Sequence, residues 1–287
     1  MIAAPAFFTD YHPQVDAELR RLVPPGGSRV QESMGYTLHA PSKRVRSVLT
    51  LLCAEVCGGR TSRAVGAAAA VELVHAASLI LDDLPVMDDA ALRRGRRANH
   101  LEFGESIAIL AAFALLNLSY SELSRSYEPP LAAALSTLLS SAVGLDGLIG
   151  GQAADLLATD LPVSFEMLER IHRGKTGALF VASAVAGTRT AGAGADQQQW
   201  LTAFAKNLGL AFQIVDDLLD VEGDPAATGK AARGDPRKTT FVSFSGVAGA
   251  RQLATELCQT AERALAPFGA RADRIRELSA FVAGRRA

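Results

Sequence analysis

Apolar positions recur along most of the chain at the three-to-four-residue spacing of α-helices, and the strict alternation of half-buried strands is scarce. Breaks fall at residues 24–27 (PPGG), 57–59 (CGG), Pro85, 128–130 (EPP), 191–195 and 223–235. Between them the composition favours helix, rich in Ala and Leu with few β-branched runs. The pattern predicts helices near 12–22, 42–57, 63–84, 104–126, 131–158, 164–187, 196–222, 239–266 and 271–284. The 63–84 segment is apolar around most of its circumference, which suits a core helix. Gly144, Gly147, Gly150 and Gly151 recur at helical spacing within 131–158. Because glycine costs roughly 1 kcal/mol relative to alanine inside a helix, close packing against another backbone is the expected reason. The reading is an all-α bundle with long central helices, one domain over residues 1–287.

Composition narrows the function. With 287 residues, 49% of them hydrophobic, and a net charge of −1, the chain has enough apolar surface for a large core, which excludes disorder. The 29 basic residues are balanced by 30 acidic ones, so a general electrostatic grip on nucleic acid is not expected. Three cysteines make no disulfide scaffold, and Cys53 and Cys57, one helical turn apart, read as core thiols. The longest apolar run, residues 107–116, falls short of the about 18 needed to span a membrane. The N-terminus lacks a basic start followed by an apolar signal core. A soluble, cytoplasmic protein without a transmembrane segment is the expectation.

Charge then concentrates at two places. The 63–84 helix ends in LILDDLPVMDDAALRRG, with Asp82 and Asp83 at its C-terminal end and Pro85 turning the chain. Carboxylates there face the negative end of the helix dipole, at a cost of roughly 0.3–1 kcal/mol each. Asp88 and Asp89 add further negative charge. A solvated acidic loop is the bland alternative. Against it stand the apolar helix before the cluster and the arginines after it, Arg93, Arg94, Arg96 and Arg97. The second cluster lies in AFQIVDDLLD, where Asp216 and Asp220 share one helix face, Asp217 sits beside them and Gln213 lies one turn earlier. Unpaired carboxylates on an apolar helix cost several kcal/mol. Two such helices in one bundle argue for a shared divalent-metal site, and oxygen ligands suit Mg²⁺. Lys43, Arg44, Arg46, Lys175, Lys230 and Lys238 supply cations for a ligand with several phosphates.

At these residues the chain resembles the trans-isoprenyl diphosphate synthases of the polyprenyl synthetase family. DDLPVMD followed by RRG resembles the family's first aspartate-rich motif, and FQIVDDLLD the second. The wording HAASLILDDLPVMDDAALRRG is similar to carotenoid-pathway geranylgeranyl diphosphate synthases. The resemblance implies an isoprenoid synthase-like bundle around a central cavity. By resemblance, Asp82, Asp83, Asp88, Asp216, Asp217 and Asp220 hold three Mg²⁺ on an allylic diphosphate, assisted by Arg93, Lys175 and Lys230. Lys43, Arg46, His75 and Arg94 match the pocket for the diphosphate of isopentenyl diphosphate. His75, Ser78 and Asp82 are also spaced i, i+3 and i+7, so they face one cavity. Gln152 and Asp155 match positions supporting the metal-bound waters, and Thr176 and Gln213 positions near the reacting carbon. The resemblance further implies a homodimer.

The chain departs from the family at three places. PSKRVRS stands where GGKRxRP is usual, so Pro41 and Ser42 replace two glycines. The stretch around Lys238 is altered, leaving the role of that lysine open. Arg285 and Arg286 are expected to form a solvated tail.

The implied reaction is head-to-tail condensation. The allylic carbon–oxygen bond breaks as its diphosphate is neutralised, the double bond of isopentenyl diphosphate attacks the cation, and a proton is lost. No side-chain nucleophile is needed. In the family the positions four and five before the first Asp form a floor under the growing chain. Here they are Ser78 and Ala77, both small, which implies a twenty-carbon product, with farnesyl or geranylfarnesyl diphosphate as alternatives. A terpene cyclase would carry an Asn/Ser/Glu second motif, and a non-catalytic regulatory subunit would have lost some of the aspartates.

Overall fold

In a computed structural model, which describes residues 8–222 and 238–285, the chain is almost wholly helical. Its helices are α1 (Phe8–Leu22), α2 (Arg29–Leu38), α3 (Val45–Val56), α4 (Thr61–Asp82), α5 (Asn99–Phe103), α6 (Glu105–Ser126), α7 (Pro129–Val143) and α8 (Leu148–Leu157). After these come α9 (Phe165–His172), a π-helical turn (Arg173–Gly177), α10 (Ala178–Thr190) and α11 (Ala195–Glu222). The described residues end with α12 (Phe241–Ala264), a 3-10 segment (Ala266–Ala272) and α13 (Asp273–Ala283). Strand structure among the described residues is a two-residue hairpin, β1 (Leu92–Arg93) against β2 (Arg96–Arg97).

Helix α4 packs against α3, α6 and α10, and α10 also touches α3, α7 and α11. Leu51 and Leu52 of α3, Leu73 and Ile80 of α4, Leu115 of α6, Phe180 of α10 and Phe204 of α11 are fully buried between them. Each such side chain contributes about 1.5–3 kcal/mol over the exposed state. Helix α11 packs in turn on α10 and α12. Cys53 is fully buried, as the core-thiol reading expects.

Four expectations about the elements need correction. The sequence reading left residues 29–38 unassigned, yet α2 forms there with a capping box. Gln31 N–H donates to Ser28 Oγ and Ser28 N–H to Gln31 Oε1. The 131–158 helix is two helices, because Gly144 ends α7 and Gly147 opens α8 in backbone conformations outside the helix region. Of the spaced glycines, Gly151 fits the close-packing argument best, since a Cβ there would lie 2.1 Å from the Lys175 amide nitrogen. The 164–187 helix carries a π-turn at RGKTG, and the 42–57 helix starts only at Val45.

The apolar stretches are longer than the longest uninterrupted run suggests. Thr61–Asp82, Glu105–Ser126 and Pro129–Leu157 are each long and apolar enough to cross a membrane by length and composition. Counting uninterrupted apolar residues missed them because isolated polar residues such as Glu72, Asn117 and Ser119 break the run without lowering the mean much. The first is the core helix α4, with 72% of its apolar window buried. The other two keep exposed apolar side chains, including Leu110, Phe113, Leu145 and Ile149.

Candidate active site

The first aspartate cluster is shaped by the way α4 stops. Asp82 is its last residue and Asp83 its C-cap. The loop then folds back: Asp88 N–H donates to Asp82 O (3.0 Å) and Ala90 N–H to Asp83 O (3.2 Å). Carbonyls that the helix end leaves without partners are thereby satisfied, and Asp88 is held near Asp82. The hairpin that follows turns at Arg94 and Gly95, both with positive φ (55° and 73°), as a two-residue type I′ connection requires. This turn returns Arg93 onto Asp83, to which its Nε donates at 2.9 Å alongside a second Nη2 bond. Asp83 is buried. Its carboxylate serves to hold Arg93, while Asp82 stays half-buried on the face shared with His75 and Ser78. Burial pushes Asp82 up to about 6, against the pull of Lys175.

The second cluster divides in the same way. Asp217 is buried and accepts from Gln213 Nε2 (2.9 Å) and from the Phe241 amide (3.0 Å) at the start of α12. Burial pushes its carboxyl up to about 6 even so. Thr176 Oγ1 donates to Gln213 Oε1 at 2.8 Å, which ties the π-turn to the same network. Asp216 and Asp220, one turn apart, remain half-buried.

From the first cluster a chain of lysine–carboxylate contacts runs to α8 and the π-turn. Lys175 Nζ lies 2.7 Å from Asp155 Oδ2, and Lys238 Nζ lies 3.0 Å from the same oxygen. Lys238 also reaches Asp88 Oδ1 at 2.9 Å. Burial raises the Asp155 carboxyl, but the two lysines more than offset it and hold the group below the usual carboxylate range. The close approach of Gly151 to the π-turn makes the Lys175–Asp155 contact possible. Gln152 Oε1 is buried with no hydrogen-bond partner.

A third group of side chains gathers at the start of α3. Arg46 Nη1 lies 3.3 Å from His75 Nε2, and its guanidinium sits over the rings of Phe180 (4.7 Å) and Phe212 (5.7 Å). Arginine has only donors, so Nε2 accepts. Burial, reinforced by Arg46 and Arg94, holds His75 well below the usual histidine range and keeps it neutral. Burial also pulls Arg46 down to about 10. Lys43 Nζ lies 5.5 Å from the Phe281 ring, and it and Arg46 both feel the charges of Asp216 and Arg285. The basic corner therefore faces the second acidic cluster.

Sequence reasoning misjudged some of these residues. Arg285 is not a solvated tail. Its Nη1 lies 2.7 Å from Asp216 Oδ1, and its guanidinium sits 4.6 Å from the Phe212 ring. Lys238, whose role the sequence left open, joins Asp88 to Asp155. Asp155, matched by resemblance to a position supporting metal-bound water, is in addition an acceptor for both lysines. Ala77 is buried in the core, whereas Ser78 is half-buried and its hydroxyl donates to His75 O of its own helix. Lys230 and Arg286 lie outside the described residues.

The donor set fits magnesium. Asp82, Asp88, Asp216 and Asp220 offer oxygen alone, which suits a hard cation that keeps several waters, and Gln152 Oε1 is a buried acceptor left without a partner. Among the described residues, no three carboxylate, imidazole or thiol groups converge tightly enough to form a closed cage.

The family model for polyprenyl synthetase matches residues 28–264. Geranylgeranyl pyrophosphate synthase 10, mitochondrial, of Arabidopsis thaliana is 41% identical over 237 residues, covering 80% of this chain and 69% of that protein. A dimethylallyltranstransferase of Fischerella ambigua (strain UTEX 1903) is 37% identical over 286 residues, 97% of this chain and 82% of its own. Among solved structures, an apo FPP/GFPP synthase from Zymomonas mobilis superposes with a TM-score of 0.86 at 31% identity, covering 97% and 98% of the two chains. A Helicobacter pylori geranyltransferase complexed with magnesium and isoprenyl diphosphate gives 0.83 at 29% identity, covering 98% and 96%.

Proposed function

The chain belongs to the polyprenyl synthetase family, and we propose that it is a trans-prenyltransferase making the twenty-carbon geranylgeranyl diphosphate from isopentenyl diphosphate and an allylic diphosphate. One observation carries the reading. Two carboxylate clusters, at the ends of α4 and α11, flank one polar network. Asp88 of the first meets Lys238, which shares Asp155 with Lys175. Thr176 beside Lys175 reaches Asp217 of the second through Gln213, with a basic corner at the start of α3 nearby.

Asp82 and Asp88 on one side, with Asp216 and Asp220 on the other, would hold magnesium, in the number of three ions once the allylic diphosphate is bound. Bound there, magnesium neutralises the diphosphate and makes it a competent leaving group. Asp83 and Asp217 support this set from behind. Asp83 aims Arg93 at the diphosphate, and Asp217 anchors Gln213 and the start of α12. Lys175 and Lys238 add positive charge where the departing oxygen becomes negative, and such preorganised charge acts without solvent reorganisation. Gln152 would steady a metal-bound water.

Lys43, Arg46, His75 and Arg94 bind the diphosphate of isopentenyl diphosphate. The neutral His75 can donate from Nδ1 while Nε2 accepts from Arg46. Proximity then does much of the work, because the two bound substrates react as one unit. Phe212, half-buried beside Arg46, gives the site apolar surface that would keep water from the cation. Ser78 and Ala77 are small and close to His75, so neither would block a long prenyl chain growing below the aspartates. The exposed Leu110 and Phe113 of α6, on one face at i and i+3, support a homodimer through that helix.

The test is release of inorganic diphosphate from isopentenyl and geranyl diphosphates. Release that requires Mg²⁺ and is lost in Asp82→Ala supports the reading, and release indifferent to both overturns it.

A further inference from the structure

The basic corner depends on a backbone that glycines do not shape here, since Pro41 and Ser42 precede Lys43. Arg44 holds that backbone instead. Its φ and ψ are 46° and 32°, the left-handed region that a long side chain rarely adopts. The reversal lets Lys43, ahead of α3, and Arg46, in its first turn, both lie within reach of Asp216 and Arg285. Meanwhile the Arg44 side chain turns inward and is 4% exposed.

Every arm of the Arg44 guanidinium is engaged. Nη1 donates to Glu72 Oε1 (2.9 Å), Nη2 to the Leu38 carbonyl at the end of α2 (2.6 Å) and Nε to Asp16 Oδ1 on α1 (3.1 Å). Glu72 is equally buried, and its other oxygen accepts from Ser47 Oγ at 2.7 Å. It lies on α4 three residues before His75, on which Arg46 closes. Against the effect of burial, Arg44 and Ser47 keep the Glu72 carboxyl below its ordinary range, so it is charged. One ion pair thus couples the start of α3 to the stretch of α4 that carries His75. A strained backbone held by a fully satisfied buried network marks a functional constraint.

We propose that the buried Arg44–Glu72 pair is a positioning unit that fixes the backbone from which Lys43 and Arg46 reach the diphosphate of isopentenyl diphosphate. The proposal rests on the reading of Lys43, Arg46, His75 and Arg94 as that substrate's pocket. Neither Arg44 nor Glu72 touches substrate; both act through Lys43, Arg46 and His75. The pair should therefore influence one substrate and not the other.

Steady-state kinetics of the full chain, varying each substrate in turn, tests this with Arg44→Lys, Asp16→Asn and Arg46→Gln. A lysine at 44 keeps the charge but cannot reach three acceptors in a fixed fork. Arg44→Lys is expected to raise KM for isopentenyl diphosphate about tenfold or more, with KM for the allylic diphosphate within about twofold of the parent. Asp16 is 34% exposed, so Asp16→Asn leaves no deeply buried charge unpaired and shifts the same KM in the same direction by less. That variant keeps the test open if Arg44→Lys folds poorly. A fall in melting temperature with both KM values unchanged, or an equal rise in both, overturns the proposal. Normal kinetics in Arg46→Gln overturns the pocket reading and the proposal with it. A defect in Arg46→Gln beside normal Arg44→Lys and Asp16→Asn overturns the positioning role alone.

Discussion

Lys238 Nζ stands 2.9 Å from Asp88 Oδ1, so a residue three positions ahead of α12 closes onto the loop that follows α4. The same nitrogen reaches Asp155, and the two carboxylates hold the ammonium above the usual lysine range against the effect of burial. Lys238 is thus a charged bridge between the first acidic cluster and α8. Lys238→Met is expected to lower kcat/KM about 10- to 100-fold, the loss of one charge-assisted hydrogen bond to a phosphate. Its melting temperature should change little, because partly exposed ion pairs contribute at most about 1 kcal/mol. Unchanged kinetics would remove Lys238 from the site.

Asp155 is the shared acceptor of Lys175 and Lys238, at 2.7 and 3.0 Å. Asp155→Asn keeps the shape and removes the charge that holds both ammonium groups in place. A fall of about tenfold or more in kcat is expected, as for other residues that orient catalytic groups. If single-turnover rates match the parent, the two lysines do not need Asp155.

Product length probes the wall below His75. Ser78→Phe places an aromatic ring on the half-buried face shared by His75 and Asp82, and should shorten the product from twenty to fifteen carbons. Ala77→Phe should shorten it too. Because Ala77 is 4% exposed in the core, that variant should also lose about 1–3 kcal/mol to overpacking. Chromatography of the dephosphorylated alcohols reads both effects, and an unchanged twenty-carbon product in Ser78→Phe contradicts this placement.

His172 gives a pH-dependent stability. Its ring packs 5.2 Å from that of Phe241, and burial pulls its pKa from 6.5 to about 4. The unfolded chain therefore takes up a proton between these values while the folded ring stays neutral. Stability is unaffected above 6.5, is lost as pH falls through 6.5, and levels off below 4. Between pH 7 and 4.5 the loss amounts to about 2–3 kcal/mol. His172→Gln lacks it, so the difference in urea-unfolding free energy between parent and variant should shift by that amount. Parallel pH profiles would contradict a buried neutral ring.

Helix type and both carboxylate clusters were legible in the sequence because each is local. The apolar face of α4, the aspartates at its end and the i, i+4 pair on α11 need only helix periodicity. Helix α2 was legible too, since Ser28 and Gln31 spell a capping box, but its polar composition hid it. What sequence could not carry was division of labour within a cluster. Asp83 and Asp217 look equivalent to Asp82 and Asp216, yet Arg93 and the Phe241 amide claim them. These partners arrive through a hairpin and a distant helix start, contacts that no spacing rule encodes. The role of Lys238 stayed open and Arg285 was read as a solvated tail for the same reason, each meeting a carboxylate far away in the chain. The break at Gly144 and Gly147 escaped because helical spacing of glycines fits packing and termination equally well.

The most direct test of the account is a product-length assay. The purified chain is incubated with Mg²⁺, labelled isopentenyl diphosphate and, in turn, dimethylallyl, geranyl and farnesyl diphosphates. A labelled twenty-carbon product, absent after chelation and in Asp82→Ala, is the expected result. No incorporation from any primer would contradict the assignment.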